Sequence, residues 1–350
     1  MKKTKRSHKT VKPLTVGRDL RRGIYDSQGD LKPFKTKTPT KNLSPDLQFL
    51  KRFNHEKIDE IDIRMEGNFE DWSILFSLQS REEINPEFVM KFIKELGSGA
   101  YGTVYKIKIN EKYTDNEYHF ALKIDKGDTE YEISKKLFMK CNTIQNKFFM
   151  NNEEYYLYFM TLADGDLLDY KENYLKKMKP KKAHQHILEI CEEIRKQAIC
   201  ILENDLLYAD MKPLNCLYKF SHKKPFFLIG DLGGAAMDDT GEQASTYIPY
   251  ELMGDETGWF KSKDITNKEK ENFLSWEIGV MLYTLSPKVN DGEKCKFFDP
   301  QFLYYNNPCS KKYDKLLERA QKNLNQWYGK NFGDYLNKDP SSRISIYKIL

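Results

Sequence analysis

One run of six residues constrains this chain more than any other: Gly97-Ser98-Gly99-Ala100-Tyr101-Gly102, set between two strand-like stretches. Glycines at this spacing strip side chains from a turn and let N–H groups point at an anion, phosphate above all. The element after the turn decides the fold. Val104, Tyr105, Ile107 and Ile109 are mixed among lysines, so the expected element is a strand. A βαβ dinucleotide fold needs a helix there, with its N-terminus under the phosphates. A strand, a Gly-rich turn and a second strand lying over phosphates is the favoured reading.

The pattern on either side is consistent with it. Phe92–Leu96 leads into the glycines, Tyr118–Ile124 forms a further strand, and Asp128 caps a helix whose Glu130, Ile133, Leu137 and Cys141 share a face. Tyr155–Met160 is another strand, and Leu162-Ala163-Asp164-Gly165 interrupts it as a linker. Beyond it the periodicity turns helical. A long amphipathic helix is expected over 182–203, and a strongly apolar one over Phe273–Leu285. Between them come a loop at 208–216 and short strands near Leu217 and at Phe226–Ile229; a last helix is expected to open at Asp339-Pro340.

Three more segments complete the pattern: Ala121-Leu122-Lys123, Asp210-Met211-Lys212-Pro213-Leu214-Asn215 and Gly230-Asp231-Leu232-Gly233. In this order and at these separations, the set resembles the eukaryotic-type protein kinase family from about residue 90 to the end. The resemblance implies an α+β, two-lobed fold, with a β-rich N-lobe carrying one helix (91–161) and a helical C-lobe (165–350). A basic leader (1–45) and an extension (46–90) precede it.

The resemblance also implies roles. Gly97, Ser98, Gly99, Ala100, Tyr101, Gly102 and Val104 would cover ATP, with Met160 at the back of the adenine pocket and Leu162 in the linker. Lys123 would contact the α- and β-phosphates and be held by a helix glutamate, Glu130 or Glu132. Glu130 is favoured, because Ile133 and Leu137 then fall at +3 and +7 on the buried face. Asp210 would orient the proton of a substrate hydroxyl, and Lys212 would neutralise the γ-phosphate. Asn215 and Asp231 would hold Mg²⁺. Lys212-Pro213 is similar to the serine/threonine type, so the implied partners are protein substrates. Glu251 and Arg343 resemble an ion pair that braces the large lobe.

Some supporting positions depart from the family. His-Arg-Asp is here Tyr208-Ala209-Asp210, Asp-Phe-Gly is Asp231-Leu232-Gly233, and the aspartate expected in the central apolar helix is Leu274. Ala209 cannot pair with a phosphate on the activation segment. Activity independent of phosphorylation at Thr240, Ser245 or Thr246 is therefore expected. An ATP-binding pseudokinase scaffold and a small-molecule kinase of the aminoglycoside or choline type are the alternatives. The intact Lys123, Asp210, Asn215 and Asp231 argue against the first; the Gly-rich loop and Lys212-Pro213 argue against the second.

A chain of 350 residues can bury a large core in two lobes. No apolar run approaches the roughly 20 residues of a membrane helix, the longest being Ile278–Leu285. The polar N-terminus lacks an apolar signal core, so a cytoplasmic or nuclear location is expected rather than secretion by that route. The six scattered cysteines have no zinc spacing and are expected to be reduced. Residues 1–52 carry fifteen Lys/Arg against four Asp, a net +11 that leaves −6 for the remainder of a chain whose total is +5. The leader is expected to be disordered and to offer a surface to nucleic acid or an acidic surface. His184 and His186, beside lysines, are expected at the surface.

Overall fold

The computed structural model describes Phe49 and most of residues 58–350; outside it lie 1–48, 50–57, 65–72, 79–86, 100–101, 126–128 with the expected cap Asp128, 237–241, 245–248, 252–258, 262–264, 290–310 and a few single residues or short stretches. The basic leader therefore lies outside the described residues, as do Thr240, Ser245 and Thr246.

The small lobe is an antiparallel sheet of seven strands: β1 (Ile58–Arg64), β2 (Ser73–Leu78), β3 (Glu87–Gly99), β4 (Gly102–Glu111), β5 (Glu117–Asp125), β6 (Asn146–Asn151) and β7 (Tyr155–Thr161), in the order β1-β2-β3-β4-β5-β7-β6. β1 and β2 come from the 46–90 extension. They join the sheet through β2–β3 pairing, with Ile74 opposite Met90. Phe49 from the same extension is buried and lies 5.2 Å from Phe88 and 4.3 Å from Tyr118, ring centre to ring centre.

Alternation along the strands sorts the side chains into two layers. Phe120, Leu122 and Ile124 of β5 and Leu157 and Phe159 of β7 enter one apolar cluster with Phe49, Phe88, Ile107 and Ile109. The intervening Ala121, Tyr158 and Met160 face the opposite way and join the core shared with the large lobe. Lys123, opposite Tyr158, lies in that second layer by the same parity. Helix α1 (Thr129–Leu137) packs there, burying Glu130, Ile133, Ser134 and Leu137, one stripe at helical spacing.

The large lobe begins with β8 (Gly165–Asp166) and α2 (Leu167–Asn173), where the Asp166 carboxylate caps the helix by accepting from the N–H groups of Leu168 and Asp169. Next come α3 (Pro180–Leu202), β9 (Leu207–Tyr208), β10 (Cys216–Ser221), β11 (Lys224–Ile229), β12 (Ala235–Ala236), β13 (Glu242–Ala244) and β14 (Trp259–Lys261). Helices α4 (Asn267–Leu285) and α5 (Lys311–Tyr328) complete the lobe. A capping box of Thr266 and Glu269 starts α4. From Asn272 to Leu285 every residue of α4 is buried, so it is the helix around which the lobe packs.

Three expectations are corrected. No α-helix opens at Asp339: a single 3₁₀ turn, Pro340–Ser342, forms there with Asp339 as its cap, and the backbone becomes extended at Arg343, whose side chain bonds Asn337 and Glu251. His184 is buried rather than at the surface. It stacks on Trp327 at 5.5 Å and lies 3.2 Å from the Ser286 hydroxyl, and burial holds its pKa below the ordinary value. His186 is half-buried and bonds the Tyr170 hydroxyl and Glu189, each at 2.8 Å. Finally, Cys141 and Cys200 form a disulfide rather than remaining thiols, while Cys191 and Cys216 are free and buried. The turn after α1 sits on the end of α3, so two cysteines separated by 59 positions meet.

Candidate active site

Between the lobes lies a cleft of about 690 Å³, a size that suits a nucleotide-sized ligand. Its roof is the β3–β4 hairpin. Gly97, Ser98, Gly102 and Val104 line it; the tip at Ala100 and Tyr101 lies outside the described residues. Gly102 adopts φ +152°, a backbone region that side-chain-bearing residues rarely enter.

Strand parity aims Lys123 into the cleft, and α1 supplies its partner. Lys123 Nζ lies 2.6 Å from Glu130 Oε2 and 3.4 Å from Asp231 Oδ1. The structure thus selects Glu130 of the two candidate glutamates. Lys123 and Glu130 are buried, whereas 47% of the Asp231 side chain is exposed, toward the cleft it lines. Asp231 sits at φ +46°, a left-handed conformation that a short polar side chain tolerates, just before the turn Leu232–Gly234.

Below the hairpin roof runs the segment between β9 and β10, of which Leu214 and Asn215 line the cleft. Asp210 Oδ2 accepts from Lys212 Nζ at 2.6 Å and from Asn215 Nδ2 at 2.8 Å; the same amide nitrogen also reaches the Asp210 carbonyl at 3.0 Å. Both hydrogens of the Asn215 amide are thereby used, which leaves Oδ1 as its oxygen for a cation. Tyr208 is wholly buried, and its hydroxyl donates to the Gly230 carbonyl at 2.7 Å. That bond ties the Asp210 segment to the Asp231 segment. Ala209 and Leu274 are buried and apolar.

The carboxyl oxygens of Asp231 and the amide oxygen of Asn215 on one cleft are hard donors of the kind Mg²⁺ takes. Among the described residues no group of three or more His, Cys, Asp or Glu could hold a metal by itself. Two protein donors, completed by phosphate oxygens and water, match the way Mg²⁺ is usually held beside a nucleotide.

The sequence expectations meet this cleft unevenly. Gly97, Ser98, Gly102, Val104, Lys123, Glu130, Met160, Asn215 and Asp231 all line it. Leu162, Asp210 and Lys212 are absent from the lining: Leu162 packs on the core while its neighbours Thr161 and Ala163 line the cleft, and Asp210 and Lys212 stand behind Asn215, to which Asp210 is bonded. Leu96, Leu214 and Leu217 also line the wall, and Asp164, Asp166 and Asp169 form an acidic rim that was not anticipated. Leu96 was legible as the residue leading into the glycines. The rim carried no signal, because its three aspartates meet only once the linker and α2 have folded. The expected brace is present: the Arg343 guanidinium bonds both Glu251 oxygens, caps the Asn337 carbonyl at 2.8 Å and lies 4.8 Å over the Trp276 ring.

An α+β molecule with a β-sheet lobe over a helical lobe and a glycine hairpin roofing the cleft between them belongs in the kinase class. Comparison with known sequences gives the family: residues 90–350 match the protein kinase domain, and the chain belongs to that family. It is similar to a serine/threonine-protein kinase, atg1 of Dictyostelium discoideum, at 23% identity over 217 residues, 57% of this chain. The match covers 31% of that relative, so the chain spans less than a third of its length.

Proposed function

We propose that the chain transfers the γ-phosphate of Mg-bound ATP to serine or threonine hydroxyls of protein substrates. The observation that carries this reading is that Lys123, Glu130, Asp231 and Asn215 line one cleft, with Asp210 bonded to Asn215 and to Lys212 beside it. Lys123, fixed by Glu130, grips the α- and β-phosphates. Asp210 orients the acceptor hydroxyl and takes its proton, and Lys212 offsets the charge of the γ-phosphate during transfer. Asn215 and Asp231 hold Mg²⁺, which when bound supplies electrostatic stabilisation of the phosphate oxygens. Lys212-Pro213 and the serine/threonine specificity in the relative's name support the choice of acceptor.

The full set of charged groups speaks against a scaffold without catalysis. Ala209 supports activity without activation-segment phosphorylation, since it offers no cation to a phosphate there. Among the described residues no helix is long and apolar enough to cross a membrane.

The test is transfer of labelled phosphate from Mg-ATP to generic protein substrates. Asp210→Ala and Lys123→Met should each lower kcat/KM by about 10³-fold or more, and the triple alanine variant at Thr240, Ser245 and Thr246 should stay active. Transfer by the wild type that both single variants retain would overturn these assignments.

A further inference from the structure

One buried carboxyl close to the cleft takes no part in the transfer chemistry. Glu277 lies in the middle of α4, with none of its surface exposed. Its Oε1 accepts the Met211 N–H at 3.0 Å. Oε2 has no hydrogen-bond partner among the described residues. A carboxyl held this deep without a balancing ion pair is costly, and a helix packed on all sides would be more stable with an apolar residue there. What the residue gains is a single bond, and that bond goes to the residue next to Asp210.

Residues 209–212 belong to no strand or helix. They run from β9 to the 3₁₀ turn Pro213–Asn215, and Asp210 stands in the middle of them. The Asp210 carboxylate is tied from one side by Asn215 and Lys212. Met211 is fully buried, so its N–H is where the rigid core can grasp this backbone. Glu277 reaches it from the helix at the centre of the lobe.

We propose that Glu277 is a positioning residue for phosphoryl transfer: its buried carboxyl anchors the Met211 amide to α4 and thereby holds Asp210 at a fixed place and angle beside the cleft, against Asn215. The inference rests on the phosphoryl-transfer reading for its kinetic consequence, though not for its structural one. An acceptor is required and a charge is not, so a neutral carboxamide should serve equally well. A near-isosteric apolar side chain should not.

Two variants of the full chain test this, Glu277→Gln and Glu277→Met. Amide hydrogen exchange over residues 207–215 gives a readout that needs no activity. Glu277→Gln should match the wild type there, and Glu277→Met should exchange about tenfold or more faster over this segment, with α3 unchanged. In the transfer assay Glu277→Met should lose about 10²-fold in kcat, as a small misplacement of a catalytic group does, with KM for ATP nearly unchanged and no loss of melting temperature. Glu277→Gln should keep kcat within about threefold of the wild type. Wild-type exchange over 207–215 in Glu277→Met overturns the proposal. So does a folded Glu277→Gln that loses kcat or protection, and this outcome decides the matter even if Glu277→Met does not fold. A wild type that transfers no phosphate would remove the proposed function, while the exchange data would still judge the anchor.

Discussion

Glu277 illustrates how much one side chain's surroundings can change its chemistry. Desolvation, first, pushes its carboxyl well above the ordinary carboxylate range; the nearby Asp210 charge adds to this, and the Met211 N–H and Lys212 oppose it. The folded protein therefore holds a proton that the unfolded chain releases above about pH 4.3. Below that pH both states are protonated and the ionisation-linked cost of burying the carboxyl vanishes. As pH rises, the unfolded state is favoured progressively until the folded-state group ionises. Thermal melts of wild type and Glu277→Gln should accordingly converge near pH 4 and separate toward pH 8, with the glutamine variant the more stable. Parallel curves across that range would show that the carboxyl is ionised in both states. At this scale the sequence was informative wherever a role is local. Lys123, Asp210, Asn215 and Asp231 stand in short motifs, and Glu130 was separable from Glu132 by the buried face it shares with Ile133 and Leu137. Glu277 was not legible, since a glutamate in mid-helix carries no mark of what lies opposite. His184 was misread for the same reason: the lysines before it describe one side of α3, while its ring turns to Trp327 of α5.

Among the elements, α4 sets the positions of the others, and Gly279 marks where it is most tightly approached. A Cβ there would stand 2.8 Å from both Leu336 Cδ2 and Tyr335 Cβ, of which the second is held by backbone. On propensity alone Gly279→Ala would strengthen the helix by up to about 1 kcal/mol. The clash outweighs it, because overpacking a dense core costs about 1–3 kcal/mol. Gly279→Ala should thus lower stability by about 1–2 kcal/mol net, measured by denaturant unfolding; a gain would mean that the turn Phe332–Leu336 yields easily. Elements with strong periodicity were legible: α3 was expected over 182–203 and spans Pro180–Leu202, and the expected strand at Tyr155–Met160 extends to Thr161. β6 was not, because Asn146 and Lys147 dilute its pattern at the margin of the sheet. The last expected helix stops after one turn: Asp339 caps it, but the backbone turns extended at Arg343, whose guanidinium is engaged by Glu251, a partner distant in sequence.

For the molecule as a whole, the Cys141–Cys200 bond fastens the small lobe to the large one. It closes a loop with a sequence separation of 59, which by chain entropy contributes about 4 kcal/mol. Reduction, or Cys141→Ser, should lower the melting temperature of the chain, and the two sulfurs should appear as one cross-linked peptide pair in a non-reducing digest. An equal melting temperature with and without reductant would mean that the contact between the α1 turn and α3 holds without the bond. No spacing rule pointed to this pair, because only the assembled lobes bring the two positions together.

The strands contributed by the 46–90 extension carry a practical consequence. The region that matches the kinase family begins at residue 90, inside β3 and after Phe88. A fragment cut at that boundary would lose β2 together with Glu87–Val89 of β3, leaving Met90 and Lys91 without their β2 partners and Asn110 and Glu111 without their β3 partners, and would also remove Phe49 and Phe88 from the aromatic cluster. Open rows of this kind recruit other chains. The autonomous unit is longer than its family outline, and a trimmed version would self-associate.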